Sequence, residues 1–103
     1  MKLTEREMTE IKRLSERCGV RELVLFGSAL WVDDFGPESD VDLAVTFREP
    51  KAKGRFTAYM DLKEALEGLF HRPVDLVSSD AIRNPVFRDE LQKFRKILFA
   101  APA

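Results

Sequence analysis

The chain has 103 residues and a formal net charge of −1, the size of one ordinary domain, with no charge surplus for broad binding to nucleic acid or membrane. Its composition, 45% hydrophobic and 34% charged, excludes a disordered or fibrous chain and suits a folded core. The one cysteine, Cys18, excludes an internal disulfide, cannot build a zinc site alone, and is expected as a small buried hydrophobe near a helix end.

Met1 to Glu5 is charged and lacks an apolar signal region, and no apolar run reaches about 18 residues, so a cytoplasmic protein is expected. Thr4-Glu5-Arg6-Glu7 forms a capping box, which satisfies free backbone donors at a helix start. Met8, Ile11, Leu14 and Cys18 then recur at helical spacing, and Gly19 stops this first helix. Glu22 to Phe26 is an apolar strand ending at Gly27-Ser28. Glycine there allows a sharp turn or close approach to a ligand. Ser28 can cap a short helical turn through Ala29, Leu30 and Trp31, whose free N–H groups suit an anion. Taken alone, that feature is an ordinary strand-to-helix turn.

Val32 to Ser39 reads as a loop punctuated by Gly36-Pro37, and Val41 to Phe47 as a second strand. Arg48 to Gly54 is an exposed, basic connection. A long helix follows over Phe56 to Phe70, with Tyr59, Leu62, Leu66 and Leu69 as its apolar stripe. His71-Arg72-Pro73 breaks it, and Val74 to Val77 forms a third strand. Asn84-Pro85 opens a last helix, in which Phe87, Leu91, Phe94 and Leu98 keep helical spacing to an end near Phe99. The order α-β-α-β-α-β-α, without repeat or linker, predicts one α/β or α+β domain over residues 1–103: a small mixed sheet flanked by about four helices.

The chemistry lies in the acidic residues. Strand side chains alternate between faces, so Asp40 and Asp42 project together while Val41, Leu43 and Val45 face the other way. Asp75 likewise opposes Val74 and Leu76. Should the third strand lie beside the second, the three carboxylates meet on one face. Like charges held side by side call for a hard divalent cation. Mg²⁺ on such ligands keeps positions open for substrate phosphate, and two ions about 4 Å apart can clamp a phosphoryl displacement. The third carboxylate suits a general base toward an acceptor hydroxyl. His71 has no second histidine to work with, and Cys18 lies in a predicted helix, so zinc hydrolysis and a Cys-His nucleophile find no support.

Leu25-Phe26-Gly27-Ser28, then Ser39-Asp40-Val41-Asp42-Leu43, then Val74-Asp75-Leu76-Val77 resemble the minimal nucleotidyltransferases (MNT) of the DNA polymerase β superfamily. The likeness runs from about Leu23 to Ala100. The resemblance implies that Gly27, Ser28 and Ser39 bind the nucleoside triphosphate, and that Asp40, Asp42 and Asp75 ligate Mg²⁺, two ions in all, as the catalytic triad. It further implies an antitoxin that transfers AMP from ATP to a tyrosine of a HEPN-domain ribonuclease toxin. The acceptor would come from that partner, met by the first and last helices, in a homo- or hetero-oligomer.

One departure stands out. Relatives carry an arginine a few residues after Gly-Ser, where this chain has Trp31-Val32. Its loss would weaken stabilisation of the transferring phosphate, and Lys51, Lys53 or Arg55 are the candidates to replace it. A module that sequesters the toxin by contact alone is therefore the alternative reading. Transfer to a small molecule or an RNA end is the third, with the near-neutral charge against it.

Overall fold

The computed structural model describes residues 3–26, 41–49, 53–78 and 95–102. The first helix, α1, spans Glu5–Arg17, and both halves of its capping box form. The Glu7 amide donates to Thr4 Oγ1 at 3.1 Å, and the Thr4 amide donates to Glu7 Oε1 at 3.0 Å. Cys18 caps the other end, buried as expected. Gly19 follows at φ 71°, a left-handed turn that residues with side chains rarely adopt.

Among the described residues four strands form one sheet: β1 (Val20–Phe26), β2 (Val41–Phe47), β3 (Val74–Ser78) and β4 (Lys96–Ala100), in the order β3-β2-β1-β4. β1 is antiparallel to β2 and β4, whereas β2 and β3 are parallel. Parallel neighbours need a crossover, and α2 (Arg55–Phe70) provides it. Both helices bury their apolar residues on one face of the sheet. Ile11 and Leu14 from α1, with Leu62, Leu66 and Phe70 from α2, pack on Leu23, Leu25, Leu43, Val45 and Leu76. The opposite face is smaller, with Val24 and Ala44 buried beside Phe26 and Val77.

The mixed α+β fold agrees with the sequence, and β2 has the expected bounds. β1 begins at Val20, two residues before Glu22. A register shift between Val20 and Glu22 lets Val20 join the core while Arg21 stays exposed, and that bulge breaks the alternation that marks a strand.

The expected last helix does not reach Phe99. Residues Lys96–Ala100 are instead strand β4, paired with β1. Leu23 pairs with Phe99 and Val24 with Ile97, so Leu98 is an extra residue in the ladder. The bulge turns Leu98 and Phe99, though adjacent, both into the helix-side core. Two buried neighbours in a row give no period-two signal, and the four-residue step from Phe94 to Leu98 mimicked a helix. Asn84, Pro85, Phe87, Leu91 and Phe94 lie outside the described residues. The surface expected at the end of that helix therefore belongs to a strand.

Candidate active site

The site is set by strand register. Phe26 pairs with Asp42 across β1 and β2, and Asp42 pairs with Asp75 across β2 and β3. Directly paired residues share a face, so these three side chains form one row across the sheet, on the face away from the helices. Adjacent strands stand about 4.8 Å apart, which brings Asp42 and Asp75 side by side as neighbouring acids. Asp42 is half-buried and Asp75 exposed. Each is flanked by buried apolar residues on the opposite face, Val41 and Leu43 for one, Val74 and Leu76 for the other. Burial of those neighbours locks the carboxylates outward, because a one-residue slip would bury both charges.

The row lies at the end of β1 where the chain continues into Gly27-Ser28, and at the start of β2 just after Ser39-Asp40. Gly27, Ser28, Ser39 and Asp40 themselves lie outside the described residues. Among the described residues, no three His, Cys, Asp or Glu side chains gather as a metal-binding group. Two like-charged carboxylates on adjacent strands nevertheless fit a hard cation, which takes oxygen ligands and relieves their repulsion.

The α2–β3 junction frames this end of the sheet. The Val41 amide donates to Pro73 O at 3.0 Å, joining the start of β2 to the residue before β3. The Val74 amide donates to Glu67 Oε2 at 3.0 Å, and the Tyr59 hydroxyl donates to Leu76 O. Sequence reasoning missed both side chains: Tyr59 reads as part of an apolar stripe, and Glu67 as one more helix carboxylate. A signal was present in Glu67, an acid directly beside the buried Leu66 near the helix end, where a buried strand edge needs an acceptor. His71 is exposed, with its backbone at φ 56° closing α2.

Of the proposed replacements for the missing arginine, Arg55 is engaged elsewhere. Arg55 Nε donates to Glu49 O at 3.0 Å and Nη1 to Cys18 O at 3.1 Å, and its guanidinium lies 4.5 Å from the Phe47 ring centroid. Phe47 closes β2, five residues beyond Asp42, or roughly 16 Å along an extended strand. Arg55 thus serves the far end of the sheet and cannot take the phosphate role. Lys53 is exposed on the same connection, and Lys51 lies outside the described residues.

No helix among the described residues is long and apolar enough to cross a membrane.

A family model described as "Polymerase beta, Nucleotidyltransferase" matches residues 9–102. The protein adenylyltransferase MntA of Thermococcus cleftensis is 35% identical over 82 residues, covering 80% of this chain and 79% of the relative. A solved structure described as a minimal nucleotidyltransferase superposes with a TM-score of 0.72 at 28% identity, covering 88% of each chain. A crystal structure of a tri-AMPylated Shewanella oneidensis HEPN toxin with its MNT antitoxin has a TM-score of 0.64 at 20% identity, over 96% of this chain and 74% of the other. That last likeness is one of fold.

Proposed function

Because this chain belongs to the polymerase β nucleotidyltransferase family, we propose that it is a protein adenylyltransferase acting as an antitoxin. It moves AMP from ATP onto a tyrosine hydroxyl of a HEPN-type ribonuclease toxin. The observation that carries the reading is the parallel register of Asp42 with Asp75, beside the strand end that leads into Gly27-Ser28. A relative of near-equal reach is named for the same activity, and an AMPylated toxin is the partner of a protein of this fold.

Residues 1–103 act as one minimal nucleotidyltransferase domain in the cytoplasm. Asp40, Asp42 and Asp75 hold Mg²⁺, two ions in the full site, while Gly27, Ser28 and Ser39 bind the triphosphate. Bound magnesium would neutralise phosphate charge and lower the barrier to displacement. The acceptor oxygen bonds to the α-phosphorus of ATP, the bond from that phosphorus to the β-phosphate's bridging oxygen breaks, and pyrophosphate leaves. The hydroxyl proton passes to Asp75 as general base.

Incubation with ATP labelled on its α-phosphate, Mg²⁺ and the product of the neighbouring gene labels that product, and Asp42→Asn abolishes the label. Unchanged labelling by the folded variant refutes the assignment. The second reading, neutralisation by contact alone, is motivated by Trp31-Val32 in place of the usual arginine. Under it, the Asp40→Asn, Asp42→Asn double variant still rescues cells from the toxin.

A further inference from the structure

We infer that Glu67 and Tyr59 are positioning residues, a two-point clasp from α2 that sets the reach of Asp75 toward Asp42. The inference rests on the active-site reading above.

Among the described residues β3 is an edge strand, paired on one side to β2. Along a strand the peptide groups of alternate residues point to the same edge. The Val74 amide and the Leu76 carbonyl are therefore turned the same way, and both are taken by α2 side chains rather than by β2. Asp75, between them, turns its own peptide group the other way, toward β2, where its register partner is Asp42. The clasp thus grips the strand one residue before and one residue after the carboxylate. Neither bond touches a reacting atom.

Two features make this more than edge protection. Glu67 and Tyr59 stand eight residues apart on α2, about two turns, so both can project from one side of a rigid helix. The pair also works with Pro73 O, which binds the Val41 amide at 3.0 Å, so β3 is held from both sides around Asp75. Like charges on paired strands favour an outward shift of the strand edge. The clasp resists that motion and holds the pair ready for a cation. Loss of a hydrogen-bond partner of a metal ligand typically weakens binding 10- to 100-fold, and support given through the adjacent residues falls at the low end of that range.

The test compares wild type with Tyr59→Phe, which removes a single oxygen, with Glu67→Leu, which removes the acceptor, and with Glu67→Gln, which keeps one. Calorimetric titration with Mg²⁺ and ATP is expected to show about tenfold weaker binding for Tyr59→Phe and Glu67→Leu, with Glu67→Gln close to wild type. Amide hydrogen exchange at Asp75 is expected to accelerate in the first two variants and not in the third. Wild-type affinity and exchange in folded Tyr59→Phe overturn the inference even if its melting temperature falls. If Asp42→Asn and Asp75→Asn bind Mg²⁺–ATP like wild type, it is the active-site reading that fails. The clasp is then judged on Asp75 exchange alone: acceleration in Tyr59→Phe sustains it, and no change overturns it.

Discussion

Arg55 gives the sharpest separation of stability from catalysis. Replacement by leucine removes two hydrogen bonds to backbone carbonyls, at 3.0 and 3.1 Å, and the stacking on Phe47. The Cys18 bond is partly buried and the Glu49 bond exposed. A charged donor at the buried carbonyl contributes about 1.5 kcal/mol and the exposed bond about 0.5. Stacking over a partly desolvated ring adds about 0.5–1 kcal/mol. The expected loss is about 2–3 kcal/mol, since Arg55 ties the α1–β1 turn to the β2–α2 connection. For a domain of this size each kcal/mol corresponds to a shift of about 4–8 °C, so the melting temperature should fall by roughly 10–20 °C. Urea unfolding followed by circular dichroism measures the loss, with the denaturant slope unchanged. At a temperature where the variant is folded, Mg²⁺–ATP binding should match wild type, because Phe47 and Asp42 close opposite ends of β2. A loss under about 0.5 kcal/mol, within the range of an ordinary surface substitution, refutes the structural role. Weakened nucleotide binding by a folded Arg55→Leu refutes the separation of the two ends.

Leu43→Ala, at a position with no exposure, should cost about 2–5 kcal/mol in the same unfolding assay. Thr4→Ala removes the capping bond from the Glu7 amide to Thr4 Oγ1, leaving the Thr4 amide to donate to Glu7, and should cost about 0.5–2 kcal/mol, with helical signal lost first from α1. Ser15 is fully buried, and its hydroxyl has no hydrogen-bond partner among the described residues. Ser15→Ala should therefore raise stability by about 1 kcal/mol. Burial pushes the Cys18 thiol above its ordinary pKa. The folded state thus favours the protonated thiol, and stability held at neutral pH should decline as pH climbs from the thiol's ordinary value through its raised one. Urea midpoints across alkaline pH check this, and Cys18→Ala should flatten the decline.

What could be read in advance follows the range of the interactions involved. The start of α1 was legible because Thr4 and Glu7 act within one turn. β2 was legible because polar Asp42 and Thr46 are spaced among apolar Val41, Leu43, Val45 and Phe47, and the outward face of Asp42 followed from that spacing. The pairing of Asp42 with Asp75 could be stated only as a condition, since strand order depends on how α2 crosses the sheet. The bulges at Arg21 and Leu98 erased the local period, shortening β1 and disguising β4 as helix. Arg55 was misjudged for a different reason. A basic residue in a basic stretch carries no sign of the Cys18 and Glu49 carbonyls it binds, which are distant in sequence or outside any regular element. Tyr59 and Glu67 look generic for the same reason, as their partners are backbone atoms of another strand.

Both carboxylates of the Asp42–Asp75 row reside in one continuous β2–α2–β3 segment, together with the two side chains that grip its outer strand. On the proposed reading, sequence changes confined to α1 or to the β4 edge of the sheet leave the alignment of the acidic row untouched, because none of its supports comes from those elements.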